Sequence, residues 1–194
     1  MKLPTIIGIT GGIGGGKSTI SNLLMEQGYK VYIADNEAKK LQNEDAEIIV
    51  KTKKLFGDHI YTKDGLNRRL VAELVFSDSS LLLQINSIVH PIVEREIKQW
   101  IENNSNEQFL FVESAILIEC GLNKIVDVVL LVTASEEVRI KRVMQRDRLT
   151  YEQVRSRIKN QLNDNHKIPV ADYVIYTDDQ IPLMNKLNSF LSTL

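Results

Sequence analysis

A chain of 194 residues with 43% hydrophobic and 25% charged side chains has room for one core domain with insertions, and its composition is that of an ordinary globular protein. The formal net charge of −1 argues against a general nucleic-acid coat, and the single cysteine, Cys120, allows no intrachain disulfide. No apolar run approaches the ~20 residues of a membrane span, and the N-terminus lacks the pattern of a signal peptide, so the expectation is a cytoplasmic protein that engages neither membrane nor nucleic acid.

Leu3–Thr10 reads as a strand buried on both faces. The run Gly11-Gly12-Ile13-Gly14-Gly15-Gly16-Lys17-Ser18 follows it and satisfies the phosphate-loop pattern G-x-x-x-x-G-K-[ST] at every position. Glycines let the backbone curl so that N–H groups cradle phosphate oxygens, Lys17 reaches the outer phosphates, and the Ser18 hydroxyl suits Mg²⁺. A helix over Lys17–Gln27, stopped by Gly28, adds the positive end of its dipole. The loop alone supports nucleoside-triphosphate binding and leaves the second substrate open.

Val31–Ile33 reads as a short second strand. Asp35 stands at its C-terminal end, the usual edge of the ligand crevice in open parallel sheets. For phosphoryl transfer to an alcohol it is the candidate base, although a helix around Asn36–Leu41 offers it an N-cap role as well. About 75 residues then separate the second strand from the third and read as helical. Leu81, Leu82, Ile85, Ile88 and Val89 keep helical spacing, as do Ile92, Val93, Ile97 and Ile101, with Pro91 either kinking one helix or starting another.

Phe109–Val112, Val126–Thr133 and Tyr173–Tyr176 complete the strands. Apolar strands alternating with helices predict a parallel sheet covered on both sides. Glu113, ending the third strand, either supports Mg²⁺ through water or is a plain polar terminus. The string Asn123-Lys124-Ile125-Val126-Asp127 places its aspartate one position late for guanine recognition, which disfavours a GTPase switch. Residues 139–159 carry eight basic side chains against two acidic ones. Ser135 is expected to cap the first helix of this segment, and Thr150 with Gln153 to form a capping box on the second. Such a basic helix pair suits a lid over triphosphate charge better than a DNA reader.

Several strings together resemble the dephospho-CoA kinases. They are Ile9–Gly14 with Gly16-Lys17-Ser18-Thr19, then Ala34-Asp35-Asn36, then Leu66-Asn67-Arg68 through Val75-Phe76, then Ile88-Val89-His90-Pro91. Ile116-Leu117-Ile118-Glu119, Arg142–Asp147 followed by Gln161, and Ala171-Asp172-Tyr173-Val174-Ile175 follow in order, so the resemblance spans nearly the whole chain. It implies an α/β phosphate-loop NTPase fold of three layers around a five-stranded parallel sheet. The core would comprise residues 1–35 and 108–194, with a lid at about 139–165, and residues 36–107 would form a helical substrate-binding insertion.

The implied reaction is ATP + dephospho-CoA → ADP + CoA, phosphorylation of the ribose 3′-hydroxyl, with another small-molecule or nucleotide kinase of the same architecture as the alternative. A non-catalytic ATP-binding regulator is a different class, and it leaves Asp35 and the arginine-rich lid without a purpose. The resemblance assigns catalysis to Asp35, Lys17, Arg142 and Arg146. ATP binding falls to Gly12, Ile13, Gly14, Gly15, Gly16, Lys17, Ser18 and Thr19, with Ser18 holding Mg²⁺, and acceptor binding to Asp35, Arg68 and His90. For Arg68 an intrachain pairing, and for His90 a structural role beside Pro91, stand as alternatives. Departures from the pattern are Gly15 for serine, Ala115 for proline, Ile118 for phenylalanine, Arg139 for a frequent glutamine and Thr177 for asparagine. A monomer or weak homo-oligomer is expected.

Overall fold

Five apolar segments become the five strands of one parallel sheet in a computed structural model, which is described from Leu3 to Leu194. The expected start of the core at Met1 and Lys2 lies outside the described residues. In chain order the elements are β1 (Thr5–Thr10), α1 (Lys17–Glu26), β2 (Lys30–Ile33), α2 (Ala34–Glu44) and α3 (Ala46–Phe56), then β3 (Tyr61–Thr62), β4 (Gly65–Leu66), α4 (Arg68–Ser77) and α5 (Ser79–Asn103). There follow β5 (Phe109–Glu113), β6 (Val128–Thr133), α6 (Glu136–Asp147), α7 (Tyr151–Lys159), α8 (Asp164–Lys167), β7 (Tyr173–Tyr176) and α9 (Leu183–Leu191). The chain divides into two units: one contains everything up to Ile33 and from Asn104 to Leu194, the other Ala34–Asn103.

In the first unit the strand order is β2-β5-β1-β6-β7 and every pairing is parallel. Register decides which side chains share a face. Ile7 lies opposite Phe111, Ile9 opposite Leu130, and Val132 opposite Ile175. These residues pack with Ile20 and Leu24 of α1 and with Leu187 and Phe190 of α9. Each such side chain, taken from water, contributes about 1.5–3 kcal/mol. On the opposite face Ile6, Leu110, Val112 and Leu131 are also buried. A methyl group added at Gly8 would come within 2.7 Å of Leu117 Cδ2, so the loop after β5 lies directly on β1.

β6 starts two residues later than its apolar run suggests, because Asp127 is taken into the edge of the sheet. Its carboxylate accepts from the Ile6 amide at 2.7 Å and its own amide donates to the Ile6 carbonyl at 2.8 Å. Asp172 does the same for Val129, at 2.8 and 2.9 Å. Side chains thus complete the ladder where the strands end. The Thr150–Gln153 capping box forms as expected. Ser135, however, caps α6 without a side-chain bond; its amide donates to Asp178 Oδ2 at 2.8 Å.

The second unit is helical. α5 runs as one helix of 25 residues with Pro91 inside it, so neither a second helix nor a break occurs there. Ile85, Val89, Ile92, Val93 and Ile97 form its buried stripe, while Leu82 is exposed. Asp45 caps α3 by accepting from the Ile48 amide at 2.9 Å, and Asn67 caps α4 by accepting from Leu70 at 3.1 Å. The hairpin of β3 and β4 is held by Asn43 Oδ1, which accepts from the Leu66 amide at 2.9 Å. Among the described residues no helix is long and apolar enough to cross a membrane.

Phe111 is fully buried at the middle of the sheet with Tyr29 set edge-on against its ring at 5.4 Å. Phe111→Ala is expected to lower unfolding free energy by about 3–5 kcal/mol, measured by urea denaturation. A loss under about 1 kcal/mol would show that this layer is not the core.

Candidate functional site

The loop between β1 and α1 leaves the C-terminal edge of the central strand. Three of its glycines, Gly11, Gly14 and Gly16, take positive-φ conformations that other residues rarely adopt. Gly14 has φ +79° and a Cβ there would meet the Arg139 carbonyl at 2.6 Å; Gly16 has φ +106° and caps α1. The outer side of the loop is lined with donors. Lys17 is buried and its Nζ donates to the carbonyls of Gly11 at 2.8 Å and Gly12 at 3.4 Å. Arg139 Nε donates to the Ile13 carbonyl at 3.0 Å, Arg142 Nη1 to that of Gly14 at 3.3 Å, and Thr177 Oγ1 to that of Gly15 at 2.9 Å.

Five successive carbonyls therefore point to protein donors. In a trans peptide the following amide points the opposite way, which turns the N–H groups of Gly14 and Gly16 toward the other side of the loop. Two amides are otherwise engaged. Ile13 N–H donates to Gln161 Oε1 at 2.8 Å and Gly15 N–H to the Gly12 carbonyl at 3.1 Å. The Gly14 and Gly16 amides, with the start of α1, make an anion-binding concavity.

Ser18 is exposed and its hydroxyl donates to Glu113 Oε1 at 3.4 Å. Glu113 is buried, and its second oxygen, Oε2, has no hydrogen-bond partner. A hydroxyl beside a buried carboxylate with an unsatisfied oxygen fits Mg²⁺, which takes one or two protein oxygens and completes its shell with water and phosphate. No group of three or more His, Cys, Asp or Glu that could hold a metal occurs among the described residues, so a protein-only cage is not what these residues offer. Thr19, like Ser18, is exposed in the first turn of α1.

Sequence reasoning missed what holds the loop from behind. Arg139 and Asp164 form a buried ion pair at 2.8 Å, and the same carboxylate oxygen accepts from Thr133 Oγ1 at 2.5 Å. Arg139 is legible in the sequence only as one of the eight basic side chains of 139–159 and as a departure from the family pattern, and Asp164 carries no motif. The fully buried Lys167 pairs with Glu119 at 2.9 Å and donates to the Ala115 carbonyl at 3.1 Å. Glu119 also accepts from the Leu162 amide at 3.2 Å. The carbonyl of Ala115, the residue in place of proline, is thus fixed by a buried ammonium.

The two arginines expected in a lid divide. Arg142 reaches the phosphate loop. Arg146 lies exposed at the end of α6, where Asp147 takes its Nε at 2.7 Å and its Nη2 at 3.1 Å, and takes Arg157 at 3.2 Å. The hydrogen bond that Arg146 donates to Asp147 raises the Arg146 pKa, and the same bond lowers that of Asp147. In the second unit Asp35 is exposed in the first turn of α2, one residue inside a helix that begins at Ala34, so it is not the N-cap. Arg68, exposed at the start of α4, donates to the Lys39 carbonyl at 2.7 Å and to Gln42 Oε1, tying α4 to α2. His90 is half-buried on α5, and burial lowers its pKa.

Two consequences can be measured. Asp164→Ala leaves the Arg139 guanidinium buried without a counter-charge and is expected to cost about 3–5 kcal/mol by urea denaturation, with Asp164→Asn milder because it keeps an acceptor. Equal small losses in both would remove the pair from the structure's support. For His90 the folded pKa lies below the unfolded value of about 6.5, so on acidification the unfolded chain takes the proton first. Its contribution to stability is complete above about pH 6.5 and is lost as pH falls from there toward the folded value. Urea titrations on either side of that pH should show a slope in the wild type that His90→Gln flattens.

The dephospho-CoA kinase family model matches residues 5–182. The dephospho-CoA kinase of Bacteroides fragilis is 38% identical over 188 residues, covering 97% of this chain and 92% of that protein. A Thermus thermophilus protein of known crystal structure superposes with a TM-score of 0.84 at 34% identity, over 99% of this chain and 96% of that one. The dephospho-CoA kinase of Campylobacter jejuni superposes with a TM-score of 0.67 at 25% identity, over 97% and 94%. A family model that spans the braced phosphate loop, the helical unit and the basic helices α6 and α7 alike means that the chain belongs to the dephospho-CoA kinase family.

Proposed function

We infer that this chain transfers the γ-phosphoryl group of ATP to the ribose 3′-hydroxyl of dephospho-CoA, releasing ADP and CoA, the last step of CoA synthesis. Family membership supports the activity and ATP as donor. The observation that carries the chemistry is the phosphate loop whose carbonyls from Gly11 to Gly15 are all bonded to protein donors. Such a loop offers its inner amides to a triphosphate with no reorganisation when the substrate arrives.

In this reading the loop from Gly12 to Thr19 binds ATP, with the amides of Gly14 and Gly16 at the β-phosphate, Gly15 shaping the loop through its bond to the Gly12 carbonyl, and Lys17 bridging the β- and γ-phosphates. Mg²⁺, when bound, neutralises charge on the phosphate oxygens, and Ser18 with Glu113 holds it. Asp35 orients the 3′-hydroxyl and accepts its proton as the oxygen bonds to the γ-phosphorus and the bridge to the β-phosphate breaks. Arg142 and Arg146 stabilise the transferring charge with forked donors that lysine cannot supply. Arg68 and His90 bind the acceptor. A single cysteine suits a cytoplasmic enzyme; a monomer or weak homo-oligomer is the assembly we propose.

The test is ADP formation with purified protein, ATP and Mg²⁺, comparing dephospho-CoA with nucleosides, nucleoside monophosphates and sugar acids. Turnover confined to dephospho-CoA, with CoA appearing by mass, is expected; turnover with another acceptor alone would overturn the substrate assignment. Asp35→Asn should cut turnover by at least about 100-fold with ATP affinity little changed. Near-normal turnover would take Asp35 out of the mechanism.

A further inference from the structure

The residue after β7 does more than end a strand. Thr177 Oγ1 donates to the Gly15 carbonyl at 2.9 Å and accepts from Arg142 Nη1 at 2.6 Å. The Thr177 carbonyl accepts from Arg142 Nη2 at 2.8 Å, so a single residue holds both arms of the guanidinium. Its methyl group lies against Gly16, where an added Cβ would meet Thr177 Cγ2 at 3.0 Å. Its own amide donates to the Thr133 carbonyl at 2.8 Å, continuing the pairing of Tyr176 with Thr133 one step past the strand. Thr177 therefore touches three consecutive loop residues, two directly and Gly14 through Arg142, and is itself tied to the sheet.

The hydroxyl is what makes this arrangement possible. It has one proton, which goes to the Gly15 carbonyl, and lone pairs, one of which takes the Arg142 proton. Valine fills the same volume but offers neither, and it leaves a half-buried carbonyl and a guanidinium N–H each short of one bond. Serine keeps both bonds and loses only the methyl contact.

We propose that Thr177 is a positioning residue for ATP: its hydroxyl fixes the Arg142 guanidinium and the Gly15 peptide in one arrangement on the C-terminal edge of the sheet. The inference rests on the reading of the loop as the ATP site and goes beyond it by naming what holds Arg142. Arg142 is already engaged by Thr177 and Gly14 before any phosphate is considered, so its orientation is set by the fold and not by ligand alone.

The experiment measures Thr177→Val and Thr177→Ser by direct titration with a fluorescent ATP analogue and Mg²⁺, then by steady-state kinetics with dephospho-CoA. Thr177→Val is expected to weaken analogue binding and raise KM for ATP by about tenfold, with KM for the acceptor unchanged. Thr177→Ser should stay within about threefold of wild type in both assays. In an Arg142→Ala background Thr177→Val should add less than it does alone, since part of its effect runs through the missing guanidinium. Wild-type affinity in Thr177→Val, a serine variant as weak as the valine one, or fully additive losses would each overturn the proposal. Analogue binding needs no acceptor, so a wrong acceptor assignment shows as a wild type that binds ATP without turning over dephospho-CoA, separately from any result at Thr177. Thermal melting of both variants completes the test: a purely structural role predicts a lowered melting temperature with unchanged analogue affinity in the folded protein, which also overturns the proposal.

Discussion

A peptide carbonyl turned away from a ligand still needs a donor, and the phosphate loop has five of them in a row. Between Gly11 and Gly15 each is met by a side chain, and every side-chain donor except the Thr177 hydroxyl carries a positive charge. The strand order follows from the same need. A loop leaving the central strand β1 has β6 and β7 to one side, so α6 and the segment after β7 can reach it from there, while β5 delivers Glu113 from the other. An edge strand would have offered neighbours on one side only.

Burying cations behind the loop is costly. Taking a guanidinium or an ammonium out of water is repaid only by close counter-charges and full hydrogen bonding. Arg139 with Asp164, and Lys167 with Glu119, have the close counter-charge and gain additional bonds to Ile13, Thr133, Ala115 and Leu162, although Asp164 Oδ1 is left without a partner. The result is a basic segment whose root is fixed at both ends to one residue of the loop, since Ile13 gives its carbonyl to Arg139 and its amide to Gln161. The outer part of the segment is joined by Arg146, Asp147 and Arg157, which are exposed pairs of the kind worth about 0–1 kcal/mol. A firm root and a weakly held tip suit the lid role proposed for it.

The helical unit is built on different terms. α5 carries a continuous apolar stripe past Pro91, and the packing of Val89, Ile92 and Val93 on either side of the proline holds the helix together where one backbone bond is missing. α4 has no buried residue, and Phe76 at its end is 92% exposed. It lies in contact with α5, and the bonds from Arg68 tie its start to α2, so Arg68 is a structural tie as well as a proposed ligand.

Much of this was legible in the amino-acid sequence because it is local. Strands apolar on both faces can only lie inside a covered sheet, a G-x-x-x-x-G-K-[ST] run has one common backbone path, and a Thr-x-x-Gln spacing closes a capping box with no help from elsewhere. Chain order also carried the resemblance, through His90-Pro91, the lid string and the terminal Ala171–Ile175. What the sequence could not reveal is long-range pairing. Nothing about Arg139 or Asp164 in their own segments announces a partner 25 residues away, the two-residue strands of the small hairpin are too short for any alternation, and Thr177 stands out only as a departure. Those roles were decided by tertiary structure, because a buried donor is assigned by which carbonyl the folded backbone brings within about 3 Å of it, and that distance is set by the sheet register and not by neighbours in the chain.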